Sequence, residues 1–246
     1  MIIDVHSHLG EDYVFDIKQT EEDLLNMYNA YNIDKAIIQP FMYRPYIEDM
    51  KLSHDRIYKM TQENPGRIYG MASINPHFRW NDIEEEAERC INKLGFKGFK
   101  ISTIGYACNP SSKDGMHIFD LARAYKVPVM IHTGNGAPLA DPAACFAAVE
   151  AYPDVKTVIA HTGGNSMQTQ AIYLCQKYDN VYLEPSWMPS VCVGAMIKNV
   201  GADRVIFSSD EIGNLPTALE IFTRFSDDKE TLDKVLAGTA QKVYGL

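Results

Sequence analysis

Met1-Ile2-Ile3-Asp4-Val5-His6-Ser7-His8-Leu9-Gly10 opens the chain. Ile2, Ile3 and Val5 make a short β-branched run with no turn residue inside it, the composition of a buried strand. Alternate side chains of a strand share a face, so the pattern predicts that Asp4, His6 and His8 point one way. Two imidazoles two residues apart at a strand's C-terminal end can reach one divalent cation, and Gly10 lets the chain turn away. A lone His-x-His also arises from two unrelated polar histidines. What weights this one toward a metal is a series of similar strand ends further along.

Outward from that stretch, apolar strand-like runs alternate with amphipathic helical ones. The strand candidates are 2–9, 35–40, 68–74, 96–102, 128–133, 157–162, 181–186 and 204–209. Helical candidates lie near 20–31, 48–64, 81–94, 114–126, 142–152, 165–179, 190–200 and 216–225, with a last one near 228–241. Thr20-Glu-Glu-Asp23 and Asp141-Pro142 have the chemistry of helix starts. Eight strands, each followed by a helix, in 246 residues predict an α/β fold, a single-domain (β/α)8 TIM barrel over 1–246. The competing doubly wound sheet calls for a glycine-rich phosphate loop after the first strand, which is missing.

Composition narrows the function. Apolar residues are 46% and charged residues 22%, the balance of a folded globular domain. Net charge is −9 with Lys and Arg dispersed, which excludes the basic patch of a nucleic-acid binder. No apolar run approaches the ~20 residues of a membrane span, and no signal peptide precedes the first strand. The five cysteines, Cys90, Cys108, Cys145, Cys175 and Cys192, form no CxxC and suit a reducing cytoplasm.

The polar residues gather at strand ends. Pro128-Val-Met-Ile-His132 finishes strand five, Thr157-Val-Ile-Ala-His161 strand six, and Arg204-Val-Ile-Phe-Ser-Ser-Asp210 strand eight. In a barrel these ends converge on one face. Parity places Lys100, between Phe99 and Ile101, and Glu184, after Leu183, on the lumen side. Either the two pair across the barrel or they do chemistry, since buried charge needs a partner. His54 and His117 fall in helices as surface or packing residues, and His77 in a loop. Arg44, Arg79, Trp80, Tyr106 and Trp187 lie in or near loops above the strands. With Lys100 and Glu184 they are the candidate contacts of a small-molecule substrate, arginine being suited to a carboxylate.

Asp4-Val-His6-Ser-His8, Gly95-Phe-Lys-Gly-Phe-Lys100, Ile131-His132-Thr-Gly, Ala160-His161-Thr-Gly-Gly and Ser208-Ser-Asp210 together resemble the amidohydrolase superfamily. More narrowly they resemble its branch of aminocarboxymuconate-semialdehyde decarboxylase and related aromatic-acid decarboxylases. The ending 235–246 resembles the family's closing helix, with Thr239 where Asn is usual. The resemblance implies that His6, His8, His132 and Asp210 hold one divalent metal, zinc in the first place, with manganese or another transition metal as alternatives. His161 would stand beside it as an acid/base or polarising group. Some members bridge two metals with a carboxylated lysine from strand four, which would make Lys100 the holder of a second. Members often dimerise through loops over the site, which leaves a homodimer open.

Neutral imidazoles and a carboxylate suit zinc and leave a position for water, whose pKa falls to about 7. Asp210 would accept that water's proton while His161 steadies developing charge. Hydrolysis of a small carboxylate-bearing ester, lactone or amide is the leading expectation. The alternative is non-oxidative decarboxylation, or hydration, of a small unsaturated or aromatic acid at the same site. A barrel that only binds is the third reading, and four converging ligands speak against it.

Overall fold

The computed structural model describes residues 1–12, 16–41, 46–134, 138–226 and 228–246. Its strands are β1 (Ile3–Asp12), β2 (Ile17–Gln19), β3 (Lys35–Pro40), β4 (Ile68–Gly70), β5 (Ala72–Ser73), β6 (Phe99–Ile101), β7 (Val129–His132), β8 (Thr157–Ala160) and β9 (Val181–Glu184). Between them run α1 (Glu21–Ala30), α2 (Ile47–Glu63), α3 (Trp80–Glu88), α4 (Lys113–Tyr125), α5 (Phe146–Ala151) and α6 (Gly164–Lys177). After β9 come α7 (Ser190–Val200), α8 (Leu215–Phe225), α9 (Lys229–Asp233) and α10 (Thr239–Tyr244).

β1, β3, β4, then β5 to β9, pair in parallel and in chain order. β4 and β5 are one stave broken at Met71, whose N–H still reaches the Ile38 carbonyl at 2.9 Å. The expected eighth strand is in place but lacks a continuous ladder. It closes the ring through bridges Leu183–Val205 and Ser7–Asp210, with Asp210 N donating to the His6 carbonyl at 2.7 Å. The architecture is therefore the (β/α)8 barrel that the alternation predicts. The short antiparallel β2 beside β1 is an addition to it.

Two apolar layers hold the barrel. Ile3, Val5, Ile37, Met71, Met130, Val158, Tyr182 and Ile206 fill the lumen, and Ala237, Ala240, Val243 and Tyr244 of the closing helical segment pack against them. Phe99, Ile101, Val181 and Leu183 face the helices instead, with Leu24, Ile57, Ile83 and Phe222. Each such side chain removed from water contributes about 1.5–3 kcal/mol. Helix chemistry follows sequence: Thr20 and Asp23 form a capping box on α1, and Asp141 caps a 3-10 turn, Pro142–Cys145, that leads into α5.

One expectation fails at β1. Its register with β3 shifts between Asp4 and Ser7, a bulge that resets the alternation. His6 and His8 face the lumen, but Asp4 turns away from them. Its carboxylate accepts from Ser209 N at 3.1 Å and Ser209 Oγ at 2.5 Å, pinning the closing segment to β1. Burial raises the Asp4 carboxyl to about 6, against the hydrogen bonds from Ser209.

Candidate metal centre

His6 Nε2 and His8 Nε2 lie 2.9 and 3.2 Å from Asp210 Oδ1, and 3.2 Å from each other. Ligands about 2.0–2.2 Å from zinc stand about 3.0–3.5 Å apart, so one cation suits this spacing. The other ring nitrogens are committed: His6 Nδ1 faces Glu184 Oε2 at 2.9 Å, and His8 Nδ1 faces the Pro40 carbonyl at 3.1 Å. Both partners are acceptors, so each Nδ1 carries the hydrogen, and a ring in its neutral form turns its Nε2 lone pair to the Asp210 carboxylate. Two lone pairs and an anionic oxygen repel unless positive charge sits among them. A divalent cation fits this donor set.

Electrostatics point the same way. Burial and Lys100 push the His6 imidazole down, yet Asp210 and Glu184 outweigh them and raise it above its ordinary value, so without a cation the ring itself tends to take up positive charge, which a bound cation would replace. Burial lowers His8. It opposes ionisation of Asp210 too, but the surrounding His6, His161 and His8 rings hold that carboxyl well below the usual range. Burial first, and then the neighbouring His161 ring, push His132 well below ordinary. Its ring stands edge-on to His161 with centroids 4.7 Å apart. His132 thus faces the same lumen, while the tight donor groups there among the described residues are His6, His8 and Asp210, and His6, His161 and Glu184, the latter held together by hydrogen bonds of Glu184.

His161 Nδ1 lies 2.7 Å from Ser186 Oγ, and burial lowers the ring to about 4, so it is neutral at physiological pH. With the Ser186 hydroxyl donating to Nδ1, the ring's hydrogen sits on Nε2 and faces the lumen. β8 ends at Ala160 rather than running through 162, because His161 and Thr162 turn left-handed at φ 57° and 47°. Trp187 and Asp210, at 62° and 66°, share that conformation. It costs non-glycine residues about 1–3 kcal/mol each and gathers at functional sites.

Lys100 faces the lumen, as parity requires. Its Nζ is 2.9 Å from His6 Nε2 and 3.5 Å from Met130 Sδ, and burial lowers it to about 8. Glu184 also faces inward, but not as a substrate contact or as a direct partner of Lys100. Its Oε1 accepts from Ser186 N at 2.7 Å and from Ser208 Oγ. Its Oε2 accepts from His6 Nδ1 at 2.9 Å and His161 N at 3.3 Å. Four donors saturate it, and it serves to orient both histidines.

Trp187 is at the mouth, 55% exposed, and donates its indole N–H to Asp210 Oδ2 at 2.8 Å. That is the oxygen expected to face a water. Arg79 is exposed at the start of α3, and no described contact joins it to the histidines. Arg44 lies outside the described residues. Tyr106 is buried with its hydroxyl 3.2 Å from Ser73 Oγ, and Trp80 stacks on His117 at 4.2 Å. His77 pairs with Asp114 at 2.8 Å.

His54, Glu86 and Cys90 form a further compact group away from the lumen. Ser73 N donates to His54 Nε2 at 3.1 Å, so Nδ1–H donates to Glu86 Oε1 at 2.6 Å. Arg89 doubly bonds the same carboxylate at 2.8 Å. Burial raises Glu86, but His54 and Arg89 hold it down at about 2. This group is satisfied internally and braces α2 on α3, so His54 is a packing residue. Sequence reasoning missed Ser186, Ser208 and Gln39; Gln39 could have been found from its parity with Ile37 at the end of a strand.

The chain belongs to the amidohydrolase family, whose model matches residues 3–246. It is an enzyme of that family. Among curated proteins none matches in sequence. A 2,6-dihydroxybenzoate decarboxylase from Rhizobium shares the fold at TM-score 0.80 and 16% identity, over 99% of this chain and 98% of that one. The dihydroxybenzoic acid decarboxylase of Polaromonas sp. JS666, solved with manganese and the inhibitor 2-nitroresorcinol, gives 0.80 and 16% over 100% and 97%. 5-Carboxyvanillate decarboxylase from Sphingomonas paucimobilis gives 0.79 and 12% over 100% and 99%. At such identities the likeness is one of fold. No helix is long and apolar enough to cross a membrane, among the described residues.

Proposed function

We propose that this enzyme is a divalent-metal-dependent, non-oxidative decarboxylase of a small aromatic or unsaturated acid, with His6, His8, His132 and Asp210 as ligands. The observation that carries the reading is the state of the lumen's proton carriers. Hydrolysis needs a group to take a proton from water, but Glu184 has four donors on it and Asp210 Oδ2 holds the Trp187 N–H. Decarboxylation needs the opposite, a proton delivered to carbon, and the groups turned to the site carry hydrogens.

His6, His8, His132 and Asp210 would hold the metal, manganese or zinc, which when bound would supply Lewis-acid polarisation of the acid's oxygens. Lys100 faces the substrate carboxyl with positive charge. When the C–CO2 bond breaks its electron pair stays on the substrate carbon, and one proton must replace CO2 there. Lys100 is the donor, because its amine faces the lumen beside His6 and its ammonium is a far stronger acid than a neutral imidazole. His161 Nε2–H hydrogen-bonds the negative charge that gathers on the substrate. Trp187 and Phe41, which stacks on His8 at 4.8 Å, offer flat apolar walls that suit an aromatic ring. Cytoplasmic placement agrees with five free, buried cysteines.

The test is a panel of hydroxybenzoates, unsaturated acids, lactones and esters, offered to manganese- and zinc-loaded protein, with CO2 and acid release read separately. CO2 from one or more acids supports the reading. Lactone or ester turnover without CO2 from any acid overturns it in favour of hydrolysis.

A further inference from the structure

Gln39 sits on β3 directly beside His8, its register partner on β1. Ile37 faces the lumen, and two residues on, Gln39 follows it there. The side chain is 1% exposed, and its Oε1 is buried with no hydrogen-bond partner. Its Nε2 has one contact, His8 Nε2 at 3.4 Å, at the outer limit of a hydrogen bond. A carboxamide can make four.

That contact is incompatible with a metal-binding His8. The ring's Nδ1 hydrogen goes to the Pro40 carbonyl, so Nε2 has one lone pair, and it cannot serve both a cation and Gln39. With the cation in place both ends of a fully buried amide stand unpartnered, a state proteins avoid unless a ligand completes it. The charge pattern around it says what the ligand offers. Lys100 and His161 present donors, and the oxygens of Glu184 and Asp210 are taken. Gln39 Oε1 is then the acceptor left open among the described residues of the site.

We infer that Gln39 is a specificity-determining residue, whose Oε1 accepts a hydrogen bond from a hydroxyl next to the substrate's carboxyl group. This rests on the reading of the chain as a metal-dependent enzyme of small acids. Acids carrying that hydroxyl bind better than isosteres that cannot donate, because only they satisfy the buried oxygen.

The experiment titrates manganese-loaded protein calorimetrically with 2-hydroxybenzoate and 2-methoxybenzoate, in wild type and Gln39→Met, with manganese content and thermal midpoint measured on both. Wild type should favour 2-hydroxybenzoate, and Gln39→Met should cut that preference by roughly tenfold while keeping its manganese, the factor expected of one hydrogen bond. An unchanged preference in the variant overturns the inference and leaves the proposed function standing. Loss of manganese in a folded variant also overturns it, making Gln39 a ligand. If neither acid binds wild type, the inference is overturned, while the proposed function is decided separately by CO2 release across the acid panel. Should Gln39→Met not fold, Gln39→Asn withdraws the oxygen by one methylene and is read the same way.

Discussion

Trp187 and Asp210, 23 residues apart, are locked together: the indole N–H meets Asp210 Oδ2 at 2.8 Å, and both backbones are left-handed. The contact divides the carboxylate's labour. Oδ1 faces His6 and His8, and Oδ2 is capped. A capped, strongly acidic carboxylate binds cations well and takes protons poorly.

Asp210→Asn separates a ligand from a base. The amide keeps one acceptor oxygen at the same size, so metal affinity should fall and saturating manganese should refill the site. With Asp210 acting as ligand alone, turnover in the refilled variant should recover to within about tenfold of wild type, where loss of a general base costs about 10²–10⁴. Refilled but dead protein would restore Asp210 as the base and hydrolysis as the reaction.

Removing the cap is the converse change. Trp187→Phe keeps an aromatic ring and drops the N–H, which should lower unfolding stability by about 1.5 kcal/mol, the low end for a charged hydrogen bond because the indole is half exposed. Metal content should stay. Denaturant unfolding and elemental analysis check both; unaltered stability would mean that the contact does nothing for the fold.

Ligands and neighbours should part company on mutation. His6→Ala with His8→Ala should strip most of the metal, and His132→Ala should weaken it. His161→Asn should keep the metal and slow turnover by roughly 10²–10³, as for loss of a hydrogen bond to developing charge. Metal loss in the His161 variant would move that residue into the ligand set.

The pH profile should carry Lys100. Its protonated form is the active one, so kcat/KM should fall as pH rises through the Lys100 pKa. Burial places that near 8, and an adjacent cation brings it lower. Lys100→Met should abolish this alkaline limb along with most turnover. A wild-type rate flat from pH 6 to 9 would remove Lys100 as donor.

Stability has its own pH signature at His161. Burial depresses the folded ring to about 4, against about 6.5 unfolded. Between those values the unfolded chain binds more protons, so stability rises with pH across that window and is lost as pH falls through it, by up to about 1.4 kcal/mol per unit. His8 and His132 are lowered as well and add the same sign. His161→Asn should therefore shallow the acid slope without abolishing it; an unchanged slope would show His161 is not buried neutral.

Local pattern alone carried much of this protein. β-branched runs of period two and helical runs between them gave eight staves, and a polar residue ending a run placed His6, His8, His132, His161 and Asp210 at one face. Parity put Lys100 and Glu184 inside, since a flip would bury Phe99 and Leu183 in the wrong layer. Only tertiary structure decided what those residues are to one another. The bulge that turns Asp4 from His6 follows from its bond to Ser209, 205 positions away. Glu184 becomes a brace because His6, 178 residues distant, is among its donors. The Trp187 cap and the open Gln39 oxygen likewise depend on which neighbour each loop or strand end meets once the ring is closed. Side-chain facing is set by the residues next in the chain, but hydrogen-bond partners are set by closure of the barrel, which no local window of sequence contains.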